Sequence, residues 1–482
     1  MITAADLIPL APSILVSLTA IAVMIAIAIR RSHFAAALIC AIGLGLSLLA
    51  IWAVLPYVPR QVTPLIIVDD FGLYYSALII GATLAVVLLS YPYFARLPDP
   101  PEELYILLPT AAFGGVAIVL SSHFASFFLG LEVLSVALYG LIAYTVGREA
   151  SIEAGLKYLV LAASSAAALV FGMALIYARL GTMEFARMPA LLTTRADFYD
   201  PLLLAGVALM ITGIGFKLAV VPFHMWTPDV YEGAPAPITA FVATVSKGAL
   251  FGLLLRYFRE SPSSGGSVFL VFTIIAAASM IAGNVLALLQ NNVKRILAYS
   301  SIAHLGYLLV AFQAGGMLGA RAATFYLTAY IVTTLGAFGV VAVLSDGSRD
   351  ADRIEDYRGL FWRRPALAGV MAIMLFSLAG IPLTAGFFGK FYVVTAGASS
   401  AIWMLLLVLV VTSAVGLYYY LRIVVALFAT DDLAAAPAAS VLRPLHAGSG
   451  IVLTALTGIL FWLGVYPAPL IEVIQKIFVG LL

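Results

Sequence analysis

Six ionisable side chains interrupt otherwise apolar stretches of this sequence: Glu132, Lys157, Lys217, Lys247, Lys390 and Arg422. A charge near the centre of a membrane-spanning helix costs roughly 2.5 to 3.5 kcal/mol on insertion scales. Glu132 and Lys247 fall close to mid-span, and packing does not require them. Desolvation favours the neutral amine and a nearby carboxylate favours the ammonium, so a lysine between two partners can be switched between holding and releasing a proton. Two charges about 7 Å apart at an effective dielectric near 20 interact by roughly 2.4 kcal/mol. Moving one charge across 100 mV costs about 2.3 kcal/mol. Making or breaking one Glu–Lys pair therefore matches the work of holding a proton against a membrane voltage.

Each charge also has a blander reading. Lys157, at the predicted start of its helix, and Arg422, near a helix end, can snorkel to the interface. For Glu132, Lys217 and Lys247 the alternative is a static buried ion pair. His123, near a helix start, reads as hydrogen-bonded filler. His304 is better placed to carry a proton, because Ser300, Ser301 and Tyr307 surround it.

Two helix breaks reinforce the pattern. Gly213-Ile-Gly-Phe-Lys217 precedes Pro222, and Gly380-Ile-Pro382 precedes Gly386 and Gly389-Lys390. Each proline lacks an amide hydrogen and clashes with the carbonyl four residues back, here Leu218 and Leu378. Irregular backbone at membrane depth is tolerated where it is buried in protein or lines a wet cavity, and transporters place ion sites there. A lysine beside each break reads as a hydrated relay station.

The elements that position these groups follow from composition. The chain has 482 residues, 63% hydrophobic and 10% charged, with mean hydropathy +1.11. Soluble domains carry about 25% charged residues. Apolar runs long enough to cross about 30 Å of hydrocarbon recur from end to end. They predict an all-α polytopic membrane protein of about fourteen helices. In chain order the spans are 7–29, 34–55, 72–94, 103–121, 123–145, 156–179, 201–221, 235–258, 268–289, 297–314, 321–345, 366–394, 401–428 and 449–470. The breaks lie in spans seven and twelve, and a displacement of five reverses direction through the membrane. Spans four to eight and nine to thirteen are therefore expected to form two inverted five-helix repeats, each with one broken helix. The expected divisions are an N-terminal three-helix segment at 1–100, repeats at 101–260 and 261–430, and a C-terminal helix within 431–482. The segment Asp346 to Arg364, with ten charged residues, reads as a solvated loop able to touch a neighbouring subunit.

If the N-terminus faces outward, twelve Lys and Arg fall in inward connections, Arg148, Lys294, Arg295, Arg349 and Arg443 among them. Eight, including Arg195, Arg256 and Arg259, fall outward. That bias favours an outer, periplasmic N-terminus. Arg30 and Arg31 follow the first span and no basic residue precedes it, which argues against a cleavable signal. A net charge of +2 without a basic run or glycine loop implies no nucleic-acid or nucleotide partner. Cys40 is the only cysteine, and five scattered histidines without HExxH offer no metal site.

The run Lys217-Leu-Ala-Val-Val-Pro-Phe-His224-Met-Trp-Thr-Pro-Asp-Val-Tyr-Glu-Gly-Ala-Pro-Ala-Pro237, continuing to Lys247, closely resembles the antiporter-like subunits of respiratory complex I. The run Asn292-Val-Lys-Arg-Ile-Leu-Ala-Tyr-Ser-Ser-Ile-Ala-His-Leu-Gly-Tyr307 agrees with it. The resemblance implies fourteen helices with two inverted five-helix repeats, and half-channels joined by a central hydrophilic axis. It implies that Glu132 pairs with Lys217, that Lys157 tunes that pair, that Lys247 is the central relay, and that Lys390 ends the second half-channel. His304 and the Tyr307 region would link them, with His224 a further candidate. It also implies a bacterial inner membrane location and other membrane-arm subunits and lipids as neighbours. NADH, FMN, iron–sulfur clusters and quinone would be bound by partner subunits, with no cofactor on this chain.

Two other readings compete with proton translocation in complex I. One is the related subunit of a multi-subunit cation/proton antiporter or membrane-bound hydrogenase; the other is a structural membrane anchor with inert charges. The Val-Tyr-Glu-Gly wording favours complex I, and charge at two helix breaks argues against an anchor.

Overall fold

The computed structural model describes residues 4–97, 101–191, 200–258, 266–346, 349–430 and 444–479. Arg195, Arg259, Arg443 and the expected divisions near 260 and 431 lie outside the described residues.

Helices α1 (Ala11–Ile29), α2 (His33–Val54) and α3 (Asp70–Phe94) come first, with a small antiparallel hairpin of β1 (Arg60–Thr63) and β2 (Ile66–Val68) before α3. The first block follows as α4 (Leu104–Leu120), α5 (Phe124–Ile142), α6 (Glu149–Leu180), the interrupted pair α7 (Pro201–Leu218) and α8 (Trp226–Gly233), and α9 (Ala236–Tyr257). The second block is α10 (Ser267–Leu288), α11 (Val293–Ala314), α12 (Gly316–Leu344), the interrupted pair α13 (Pro365–Ala379) and α14 (Ala385–Ser399), and α15 (Trp403–Phe428). Helices α16 (Ala447–Val465) and α17 (Ala468–Val479) complete the described chain.

Among the described residues, twelve helices have the length and apolar composition to cross a membrane, and α4 and α13 are shorter apolar helices. Together these are the fourteen expected spans, and the chain is a multi-pass membrane protein. The two blocks repeat one packing device. Glycines bring α4 and α5 together, where a Cβ on Gly114 would lie 2.7 Å from the Gly130 carbonyl oxygen. The corresponding pair α10 and α11 meets at Gly283, where a Cβ would lie 2.7 Å from the Tyr299 carbonyl oxygen. Small residues at such crossings let helix backbones approach without a hydrophobic driving force between them.

Helix α9 is buried inside the chain from Ala236 to Arg256. Its far end is held by Arg256, whose guanidinium donates to both carboxylate oxygens of Asp69 at 2.6 and 2.7 Å. Asp69 also caps α3 by accepting from the Gly72 amide. This corrects the expectation that Arg256 lies in an outward connection. A bidentate carboxylate and the face of the Phe71 ring, 4.8 Å away, make its burial tolerable, whereas hydropathy alone assigns every arginine near a helix end to water.

Three further expectations change. Helix α6 starts at Glu149 and not near 156, because its first two turns carry Glu149 and Glu153 and read as polar in a hydropathy scan. The span near 201–221 ends at Leu218, where Ala219 adopts the left-handed conformation, and a separate half-helix α8 follows Pro222. The segment 346–364 is not simply a solvated loop. It contains two short turns, Ile354–Tyr357 and Leu360–Arg363, and returns Asp350 to the interior with 6% exposure.

Candidate functional site

Three lysines of the expected row share one kind of seat. The Lys217 ammonium donates to the Ser135 hydroxyl at 2.6 Å and lies 5.2 Å from the centre of the Tyr158 ring. The Lys247 ammonium donates to the Ser301 hydroxyl and lies 5.3 Å from the Tyr231 ring. The Lys390 ammonium donates to the Ser413 hydroxyl at 2.7 Å and lies 5.3 Å from the Tyr307 ring. Each amine has one serine and one tyrosine, and none of the three forms a direct ion pair among the described residues.

That pattern has a chemical consequence. A hydroxyl accepts from an ammonium and donates to a neutral amine, so it serves both protonation states. An aromatic face attracts the cation without a counter-charge. A carboxylate in direct contact would favour the ammonium alone, and here the lysines sit without one. Such seats tolerate gain and loss of a proton better than a buried ion pair does.

Backbone irregularity places all three amines. Lys217 occupies the last turn of α7, just before the interruption at Pro222. Lys247 follows a π-helical turn, Val242–Ser246, inside α9. The widened turn leaves the Ala243 carbonyl accepting from the Tyr330 hydroxyl at 3.2 Å, and Tyr330 in turn bonds to Ser301 at 2.6 Å. π-turns of this type recur at functional sites because they redirect one side chain and free one carbonyl. Lys390 sits in the second turn of α14 and reaches back across the gap to the Ala379 carbonyl.

Between Lys247 and Lys390 lies an aromatic, hydroxyl-rich passage. His304 is buried at 3% exposure, with Nδ1 against the Tyr326 hydroxyl at 2.6 Å and Nε2 against the Tyr420 hydroxyl at 3.1 Å. Its ring packs 5.6 Å from Tyr330 and 5.4 Å from Tyr307 by centroids. Tyr307 therefore touches both His304 and Lys390. Its hydroxyl accepts from Asn284 at 2.9 Å, and Asn284 accepts from Tyr419 at 3.0 Å. Ser300 bonds to Tyr420.

The first half is arranged differently from its expectation. Glu132 is partly buried on α5, one turn before Ser135, and its Oε1 is buried with no hydrogen-bond partner. No direct ion pair joins it to Lys217; Ser135 stands in contact instead. Lys157 does not touch either residue. Its ammonium is held by Asp229 and Glu153, each at 2.7 Å, and it adjoins Tyr158, the ring beside Lys217. His224 is buried within the interruption between α7 and α8, while Pro222 and Pro382 lie on exposed backbone. Arg422 caps the end of α10, donating to the Leu288 carbonyl at 3.0 Å and the Asn291 side chain at 2.6 Å. His123 caps α5 through Nδ1, as its place at a helix start implied.

Sequence reasoning missed Ser135, Ser413, Tyr158, Tyr231 and Asp229. Ser135 carries a signal, since it falls three residues after Glu132 and shares its helix face. Asp229 and Tyr231 stand in the motif after Pro222 without an independent mark. Burial pushes the Asp229 carboxyl up, but hydrogen bonds from Lys157 and Arg295 leave it below the usual carboxylate range. No group of three or more His, Cys, Asp or Glu able to hold a metal occurs among the described residues.

Known proteins resemble this chain in sequence and fold. Residues 121–416 match the family described as NADH:quinone oxidoreductase/Mrp antiporter, transmembrane. The chain is 47% identical to NADH-quinone oxidoreductase subunit N of Ectopseudomonas mendocina (strain ymp), covering 98% of this chain and 97% of that one. A chain in the structure of respiratory complex I from Thermus thermophilus with bound aureothin matches with a TM-score of 0.81 at 31% identity, covering 96% of this chain and 98% of that one. A chain of the Mrp complex from Dietzia sp. DQ12-45-1b matches with a TM-score of 0.85 at 20% identity, covering 99% and 98%, and shows the fold alone. A match spanning both blocks and nearly the full length of a relative leaves one assignment: the chain belongs to the NADH:quinone oxidoreductase/Mrp antiporter family.

Proposed function

We propose that the chain is a proton-translocating membrane-arm subunit of an NADH:quinone oxidoreductase. Protons pass through two half-channels joined by the row Lys217, Lys247, His304 and Lys390, with Glu132 and Lys157 acting on the first half. The single observation that carries this reading is the repeated neutral seat, a serine hydroxyl and a tyrosine face for each buried amine. An inert anchor would neutralise such charges with carboxylates, as the chain does for Arg256.

Redox chemistry belongs to partner subunits, which hold NADH, FMN, iron–sulfur clusters and quinone, while this chain holds none. Its neighbours are an adjacent antiporter-like subunit, small membrane subunits and lipid in the bacterial inner membrane. The outer placement of the N-terminus is supported by Arg148, Lys294, Arg295 and Arg349. All four belong to expected inward connections, and they gather at one end through Asp350, Asp352 and Glu232.

The test is pumping by inverted vesicles that hold the assembled complex. Lys217→Ala and Lys247→Ala are each expected to cut proton pumping and coupled NADH oxidation while leaving complex content unchanged. Full pumping in both variants would remove the row from the mechanism.

A further inference from the structure

Lys294 is as deeply buried as Lys247, yet its surroundings are of the opposite kind. Its side chain has 0% exposure, and its ammonium donates to the Glu232 carbonyl at 2.8 Å, the Ala234 carbonyl at 2.6 Å and the Asp350 carboxylate at 2.6 Å. Asp350 is itself held by the Tyr93 hydroxyl at 2.6 Å and by Arg148. Three acceptors, one of them charged, use all three ammonium donors. It is a fastening, not a relay.

What it fastens is α8. The Glu232 and Ala234 carbonyls lie at the C-terminal end of that half-helix, where backbone acceptors have no intrahelical donor and a cation complements the dipole. The neighbouring Arg295 grips the same half-helix through Asp229 at 2.9 Å and Glu232 at 2.7 Å. Both cations belong to α11, in the second block, whereas α8 belongs to the first. The same half-helix carries Tyr231, the ring beside the Lys247 ammonium, and Asp229, the acceptor of Lys157.

We propose that Lys294 is a positioning residue that holds α8 from the second block, and so keeps Tyr231 against Lys247 and Asp229 against Lys157. The interruption at Pro222 leaves α8 without helical continuity to α7; Trp226 Nε1 ties its start to the Phe216 carbonyl at 2.9 Å, and Lys294 and Arg295 hold its other end. The proposal rests on the proton-translocation reading, since the seat it maintains is the Lys247 seat.

The experiment measures complex content by native-gel immunodetection and coupled NADH oxidation with pumping in inverted vesicles. Lys294→Met is expected to lower coupled turnover by about threefold or more at unchanged complex content. Lys294→Arg, which keeps the charge and the donors, is expected to retain most of it. Because Lys294 acts through Tyr231, Lys294→Met combined with Tyr231→Leu should fall little below the worse single variant. Wild-type pumping in Lys294→Met, or losses that simply multiply in the double variant, would overturn the proposal. If Lys294→Met does not assemble, Asp350→Asn is read in the same cycle with the same expected non-additivity. Failure of both to assemble would show a purely structural role and also overturn it. Normal pumping in Lys247→Ala would sink the underlying reading instead, independently of Lys294.

Discussion

The Lys390 ammonium bonds to the Ala379 carbonyl at 2.8 Å, closing from α14 the gap that separates it from α13. The amine thus satisfies an orphan carbonyl at the end of one half-helix while standing on the next. The proposed relay and the helix cap are one group. The cap explains how a break survives in an apolar surrounding, where an unpaired carbonyl costs several kcal/mol.

Gly380 makes this approach possible. It sits at φ +86°, and a Cβ there would lie 2.8 Å from Lys390 Cδ. Gly380→Ala is expected to cost about 1 to 2 kcal/mol from the left-handed backbone alone. It should also displace the Lys390 amine, so coupled turnover should fall more than thermal stability does. Equal turnover in Gly380→Ala and wild type, measured per assembled complex, would contradict this.

Ser135 offers a second test. Removing its hydroxyl leaves the Lys217 amine with the 3.4 Å hydrogen bond to Tyr158 and the faces of the Tyr158 and Phe216 rings. A hydrogen bond to a charged group contributes about 1.5 to 3 kcal/mol. Ser135→Ala is therefore expected to slow coupled turnover by about tenfold or more, and Ser135→Thr to restore much of it. A Ser135→Ala complex pumping at the normal rate would show that the seat does not matter.

The Asp350 latch has a defined pH dependence. Burial pushes its carboxyl up, but Lys294 beside it, Tyr93 and Arg148 leave it below 3.8. A depressed folded value contributes stability that is fully present above the unfolded pKa and is lost as pH falls through the folded one. The stability gap between wild type and Asp350→Asn should accordingly be constant from about pH 5 to pH 8 and shrink only in stronger acid. Thermal inactivation of the complex at several pH values would reveal it, and a gap that changes around neutrality would place the titration elsewhere.

Arg422 belongs to structure. Its guanidinium bonds to two carbonyls at the end of α10 and to Asn291. A hydrogen bond to a charged group contributes about 1.5 to 3 kcal/mol, so Arg422→Gln should lower thermal stability measurably while pumping per assembled complex stays near normal. A pumping loss as large as that of Lys247→Ala would move Arg422 into the relay.

Much of this protein was legible in the sequence because lipid is a demanding solvent. Apolar length alone located the fourteen spans, and the two proline breaks marked α7 and α13 as interrupted, since neither signal depends on partners far along the chain. The lysines stood out for the same reason: Lys217, Lys247 and Lys390 are costly wherever they fall within a span. Their partners did not stand out. Ser135 lies 82 residues from Lys217, and Ser301 lies 54 from Lys247, and a serine in an apolar helix carries no cost that would flag it. Hydropathy also misjudged Arg256 and Lys294, because it scores a charge without seeing the carboxylate that makes burial tolerable. The sequence by itself determined that charge would be held inside a membrane at broken helices. Only the tertiary structure decided which amines received neutral seats and which were locked by carboxylates, because that choice depends on contacts between helices distant in the chain.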